Sequence, residues 1–400
     1  MDDRLPEWLL TEVLLRLPFM TLHRFKVVCK KWLSLISADD FLGEYKLRAS
    51  RGSISPRWAF VSSENYVCSE RYPAQVHELL IDLHCGDLKC PIPYPSDEDL
   101  RRSSYRILGV SNGLVLYEYR STGDRGDDEH EPNWCVCDPV TKRFVVLPPG
   151  ISKHFWFDGC GFLTQMKDGV VANYTVVKYA VVPGRFEVFF SETGEWKAYG
   201  LWRNSFLSDG LYSAPTDVDG ILYWMHSFQG IFAHDPRRNP GVLRRIALPS
   251  DRGDGCVCTE ECIGMCGTHD GHLRYLESCE LSLSVWELND YGFGDSWLLQ
   301  HRASYADILK HVHPGTLKKQ IKLQPVSFHP LDPDIVYLGF DRVFVSYNMR
   351  EGRCRVLKTF RAIRNENRDY KWDRAFCLVI PPIPPSLPTA SPLRAGNESY

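Results

Sequence analysis

Four cysteines crowd one stretch of this 400-residue chain, Cys256, Cys258, Cys262 and Cys266, with His269 and His272 just beyond. Thiolates and imidazoles are the ligands that zinc prefers. Structural zinc sites, however, pair their cysteines across two separate knuckles, whereas Cys262 and Cys266 keep an even separation along a β-like run, so the spacing predicts no metal site. His311-Val312-His313 brings two imidazoles together just before Pro314, a context that suits solvated loop side chains. The remaining histidines and carboxylates form no G-x-S-x-G elbow, no H-E-x-x-H helix, no phosphate-cradling G-x4-G-K-[ST] loop and no G-x-G-x-x-G turn into a helix. Gly292-Phe293-Gly294 reads as a hairpin turn. The chain is therefore expected to be no enzyme, to need no cofactor and to hold no metal.

Composition narrows the partners. At 44% hydrophobic and 24% charged, the chain is an ordinary globular one, long enough for a small domain and a large one. A formal net charge of −3 provides no positive field for nucleic acid. The opening Met1-Asp2-Asp3-Arg4 lacks a basic and apolar leader, and no apolar run is long enough to span a bilayer, so neither secretion nor a membrane is expected. A cytoplasmic or nuclear location follows. Fourteen cysteines scattered along such a chain are read as reduced thiols.

The elements that must do the work begin at the N-terminus. Pro6 suits a first helical position, because its φ is pre-set where no amide bond is needed. Leu10, Val13, Leu14 and Leu17 then fall on one helical stripe, and Pro18 ends it. A second helix is predicted after Thr21, with Leu22, Phe25, Cys29 and Trp32 on its apolar face and Val28 beside them. So small a unit cannot bury all of this surface itself, and part of it is expected to meet another protein.

The ordered pattern Leu5-Pro6, apolar helix, Leu17-Pro18, then Phe25, Val28, Cys29 and Trp32 resembles an F-box, and Leu33-Ser34-Leu35-Ile36-Ser37 followed by Phe41 continues the likeness. The resemblance implies docking on a Skp-type adaptor, which joins cullin and RING subunits in a ubiquitin ligase. It implies Leu5, Pro6, Leu10, Val13, Leu14, Leu17, Pro18, Phe25, Val28 and Trp32 as adaptor contacts or their support.

After residue 55 the chain turns to Val, Leu, Tyr, Phe and Trp broken by Gly and Pro, the signature of strands. It also repeats itself. Gly113-Leu114-Val115-Leu116-Tyr117, Gly220-Ile221-Leu222-Tyr223-Trp224 and Gly271-His272-Leu273 each open a strand, and each is followed by a strand, a polar turn and a strand. Turn residues Asp138, Ser191, Asp235, Asp290 and Asn348 recur roughly every fifty positions, a period that suits a four-stranded blade. A degenerate copy from Trp58 to Leu83 brings the expected count to six, and the strand near Ala375 to Ile380 is expected to pair with that N-terminal blade.

These repeats resemble the F-box-associated, kelch-like β-propeller of plant F-box proteins, in which Gly-Leu-Leu strands alternate with turns such as Glu192-Thr193-Gly194-Glu195-Trp196. The reading is thus a mainly β chain with a small α N-terminal domain: residues 1–50 an F-box, 51–382 a six-bladed propeller, and 383–400 a disordered Pro-rich tail. Its strand tryptophans are expected to pack between blades. Phe155-Trp156-Phe157 and Trp202, near predicted loops, are the candidate client contacts. The expected function is substrate recognition for ubiquitin transfer, with an uncoupled scaffold, or a propeller enzyme or glycan-binding module, as the rivals.

Overall fold

Pro6, with φ at −55°, begins helix α1 (Glu7–Leu15), whose Leu10, Leu14 and Leu15 turn inward. The computed structural model describes residues 6–17, 21–22, 25–50, 57–62, 81–82, 103–121, 132–139, 141, 143–151, 159–167, 170–180, 184–200, 215–226, 230–249, 263–279, 282–289, 296–310, 312, 321–341, 343–359, 375–380 and 387. Residues 21, 22 and 25 are helical, and beyond them come α2 (Lys30–Ser37) and α3 (Asp39–Ser50). The single helix expected from Thr21 past Trp32 is in fact broken. The chain turns over residues 26–28, Cys29 is extended at φ −160° and ψ 163°, and its Sγ accepts the Trp32 amide at 3.5 Å. Cys29 therefore caps α2, taking one of the amides that a new helix leaves without an internal partner. The helices close on Leu10, Leu14, Leu15, Leu22, Ile36, Phe41 and Tyr45.

The rest is strand. Five antiparallel sheets of four strands each follow in chain order. The first holds β3 (Ser103–Ser111), β4 (Leu114–Ser121), β5 (Asn133–Asp138) and β6 (Arg143–Val146); the second β7 (Gly159–Lys167), β8 (Val170–Ala180), β9 (Arg185–Phe190) and β10 (Glu195–Gly200). The third holds β11 (Thr216–Val218), β12 (Ile221–His226), β13 (Gly230–His234) and β14 (Arg244–Ile246). The fourth holds β15 (Ile263–His269), β16 (His272–Cys279), β17 (Ser282–Leu288) and β18 (Trp297–Ser304) before a short helix α4 (Tyr305–Leu309). The fifth holds β19 (Gln324–Phe328), β20 (Ile335–Phe340), β21 (Val343–Asn348) and β22 (Arg353–Thr359).

A sixth sheet draws on both ends of the large domain. β1 (Arg57–Ser62) pairs with β2 (Ile81–Asp82) and with β23 (Ala375–Ile380), in a register that sets Arg57 opposite Ile380 and Ser62 opposite Ala375. Six blades were expected; the structure has five four-stranded blades, and this last sheet has three strands among the described residues. Among the described residues only the two-residue β2 lies between β1 and β3, and β23 from the far end of the chain adds the third strand.

Short turns give each blade its shape. Asn112-Gly113, Asp219-Gly220 and Asp270-Gly271 have φ of 43° and 84°, 51° and 81°, and 47° and 77°. Two successive positive φ values suit the twist of the flanking strands, and Asn or Asp followed by Gly tolerates them best. The third-to-fourth strand turns are side-chain capped, as their composition predicts: Thr141 donates to Asp138 at 2.6 Å, Thr193 donates to the Phe190 carbonyl at 3.3 Å, Asp235 accepts the Arg237 and Arg238 amides, and Asn348 accepts the Glu351 amide at 2.8 Å.

Apolar clusters fill the seams between successive sheets, from Leu108 through Tyr174 for the first two blades to Trp58, Phe60, Tyr337 and Phe344 between the fifth blade and the three-stranded sheet. Leu378 of that sheet packs on Ile107 and Tyr117 of the first blade. The expected packing of tryptophans is seen at Trp134, Trp224 and Trp286, all buried in these seams. Among the described residues no helix is long and apolar enough to cross a membrane.

Candidate functional site

The helical domain sorts its apolar stripe into two populations. Leu10 and Leu14 are core, and Leu17, Phe25 and Trp32 are half-buried around them, the last two edge to face at 4.8 Å. Pro6 stands exposed at the start of α1, while Val13 (51% exposed) and Val28 (57%) point away from the core. Leu5 and Pro18 lie outside the described residues. Trp8 (67%), Val27 (87%) and Leu33 (46%) extend the open apolar surface, and sequence reasoning missed all three. An apolar stripe shows which residues avoid water, yet it does not show which of them the domain's own core will take.

A fork of charge braces this surface from behind. Arg48 of α3 donates through Nη1 and Nη2 to the two carboxylate oxygens of Glu12 on α1, at 3.0 and 2.7 Å, and through Nε to Glu44 at 2.7 Å. That hydrogen bonding holds the Glu12 carboxyl below the ordinary carboxylate range and raises Arg48.

In the propeller, strand order fixes the face at which each described strand ends. The hairpins at Asn112, Asp219 and Asp270 mark the face with short turns; the β6–β7, β10–β11, β14–β15 and β18–β19 connections leave from the opposite one. Phe155, Trp156, Phe157 and Trp202, the candidate client contacts, lie outside the described residues.

Beneath the described part of the β6–β7 connection sits a buried charged cluster. Lys178 Nζ stands over the rings of Trp134 and Trp196, at 4.3 and 4.4 Å from their centroids, and is the cross-strand neighbour of Glu187. Glu187 accepts from Arg185 at 2.7 Å and from the Ile151 amide at 3.2 Å, while Trp196 donates to the Pro148 carbonyl at 2.8 Å. Arg106 pairs with Glu118 at 2.8 Å in the neighbouring blade. Two rings and a carboxylate thus replace the water that Lys178 loses. The arrangement pins residues 148–151 to the face. The one available signal was a lysine inside the apolar run Val176-Val177-Lys178-Tyr179.

Cys256, Cys258, Cys262, His311 and His313 lie outside the described residues. Cys266 is packed in the seam of the third and fourth blades, where burial pushes its thiol up to about 12, while His269 faces Asp270 at 3.3 Å on the adjoining hairpin. The expectation of reduced thiols is corrected at Cys279, which is disulfide-bonded to a partner outside the described residues. Two further imidazoles, buried His234 and half-buried His329, have structural roles. His234 stacks on Phe186 at 3.9 Å with Nε2 on the Pro240 carbonyl, and His329 Nδ1 accepts the Leu331 and Asp332 amides. Among the described residues no three His, Cys, Asp or Glu side chains gather as metal ligands would.

Two family models match the chain: the F-box domain over residues 3–42 and the "F-box protein At3g26010-like, beta-propeller" over residues 88–378. Among relatives in Arabidopsis thaliana, the F-box protein At1g49990 is 25% identical, with 82% of this chain and 80% of that protein covered. The F-box protein At3g26010 is 24% identical, covering 87% of this chain and 77% of its own. A solved structure, Saccharomyces cerevisiae Sqt1, superposes with a TM-score of 0.35 at 11% identity over 63% of this chain and 61% of that one.

Proposed function

The chain belongs to the F-box protein At3g26010-like β-propeller family, and from that premise we propose that it is the substrate-recognition subunit of a Skp-cullin-F-box ubiquitin ligase. The observation that carries this reading is the helical unit of residues 6–48, which closes its own core yet leaves Trp8, Val13, Val27, Val28 and Leu33 open to solvent. Exposed apolar residues rimmed by charge are what an adaptor interface requires. The Skp-type adaptor would bring cullin and RING subunits, and the propeller would bring the client.

No acid, base or nucleophile is then needed from this chain. Holding a client beside a ubiquitin-charged enzyme turns a bimolecular encounter into an effectively unimolecular one, which is itself a large rate gain. The client is a protein captured on the face with the long connections, and the segments carrying Phe155, Trp156, Phe157 and Trp202 are its first contacts. β23 of the three-stranded sheet lies against both β19 and β3, contacts that join the fifth blade to the first.

The test uses the full chain and a Skp-type adaptor in co-purification. Val13→Asp places a charge on the exposed face without entering the core, a cleaner probe than Leu14, whose side chain is wholly buried. Wild-type binding lost in Val13→Asp, with an unchanged thermal melt, supports the receptor reading. Failure of the wild-type chain to bind any Skp-type adaptor overturns it.

A further inference from the structure

We propose that the propeller face at which β4, β8, β16 and β20 end captures its client by an acidic, carboxylate-rich segment of protein. The proposal rests on the receptor reading above and adds the chemistry of the client. At this face the carboxylates are sunk and their cationic partners are not. In the first blade Glu118 Oε1 pairs with Arg106 Nε at 2.8 Å, the Glu118 side chain 11% exposed and that of Arg106 38%. In the second blade Glu187 pairs with Arg185 Nη2 at 2.7 Å, at 1% against 23%. Gly150 roofs Glu187, since a Cβ there would stand 3.0 Å from Glu187 Oε2 and 3.1 Å from Lys178 Nζ. Glu277 of the fourth blade is buried as well, accepting from the Tyr275 hydroxyl at 3.1 Å. The two arginine pairs are thus dipoles with their positive ends toward solvent.

Further cations join them. Arg302 near the end of β18, Lys322 ahead of β19 and Lys358 near the end of β22 are exposed at the same face. Asp307 and Asp341 are its exposed carboxylates among the described residues, and the Ser304 hydroxyl holds Asp307 at 2.6 Å. On the opposite face Asp219, Asp270 and Glu351 stand exposed. The chain as a whole carries a net charge of −3, so the positive character of this face comes from where its charges sit and not from composition. Arg106 is the anchor. Its pair with Glu118 uses Nε, and its two Nη groups have no partner among the described residues, which leaves a pair of donors that matches a carboxylate. Nucleic acid is the other polyanion such a field attracts, but the rings of Trp134 and Trp196 at this seam are already covered by Lys178 and are not offered to a base.

Fluorescence anisotropy of a labelled octaglutamate peptide, titrated with the full chain, tests the proposal. The double variant Arg106→Gln with Glu118→Gln removes the guanidinium without leaving a buried carboxylate unpaired. Lys322→Glu reverses an exposed charge on the same face, and Arg238→Glu reverses one on the opposite face. The expected result is saturable binding that weakens with added salt, a Kd raised about fivefold in the double variant and about threefold in Lys322→Glu, and no change in Arg238→Glu. A wild-type chain that does not bind octaglutamate, undiminished binding in Lys322→Glu and the double variant, an equal loss in Arg238→Glu, or tighter binding of a single-stranded oligonucleotide would each overturn the proposal. The adaptor takes no part in these titrations, so a failed adaptor co-purification beside intact peptide binding would overturn the receptor reading alone.

Discussion

Arg48 and Glu12 lie 36 positions apart in sequence and meet as a two-pronged ion pair, with Nη1 to Oε2 at 3.0 Å and Nη2 to Oε1 at 2.7 Å. The pair ties the last helix of the N-terminal domain to the first, and it sits one residue from the exposed Val13.

Replacing Arg48 by Lys should loosen that tie although charge is kept, since an ammonium cannot match both carboxylate oxygens. Hydrogen exchange over α1 should quicken in Arg48→Lys and in Glu12→Gln. The pH dependence has a definite sign. The Glu12 carboxyl is held below its ordinary 4.5, so the contribution is complete above that pH and is lost as pH falls through the lower folded value. Unchanged exchange in both variants would show the pair to be decorative.

His234 should make the propeller acid-sensitive. Burial lowers its pKa from 6.5 to about 4, and among the described residues its Nδ1 has no hydrogen-bond partner. The unfolded chain takes up the proton as pH drops below 6.5 while the folded chain resists until about 4, so stability falls across that window. The loss from this one group is about 3 kcal/mol. His234→Phe should keep the stack on Phe186 and forfeit the bond to Pro240, costing about 1 kcal/mol at pH 8. It should flatten the acid limb of a urea-unfolding profile; an equally steep limb would assign the sensitivity elsewhere.

Gly267 on β15 is the close approach between the fourth and fifth blades. A Cβ there would overlap the Phe328 ring, and the Arg274 guanidinium, 5.2 Å from the centre of that ring, limits where the ring can go. Gly267→Ala should destabilise the propeller by about 1–3 kcal/mol. Gly43→Ala, on α3 with nothing within 4 Å of the new methyl, should be neutral or stabilising by up to about 1 kcal/mol. Equal denaturation midpoints for Gly267→Ala and the parent would remove the close-approach account.

Some of this protein is legible from its residues in order. Pro6, the stripe from Leu10 to Leu17, the Gly-led strands and the polar turns at Asp138, Thr193, Asp235 and Asn348 act through neighbours a few positions away. Helical or strand period and turn chemistry therefore reveal them, and the pairing of β1 with β23 follows once the repeats are counted. Other features required the tertiary structure. The break at Cys29 depends on a thiol reaching the Trp32 amide, a local choice that a continuous apolar period conceals. The division of one stripe into core Leu14 and exposed Val13 depends on where α3 lies. Lys178 between Trp134 and Trp196, and Phe328 over Gly267, join residues from different blades or from strands far apart in sequence. Periodicity records which side chains leave water, and only the packed chain decides what they meet when they do.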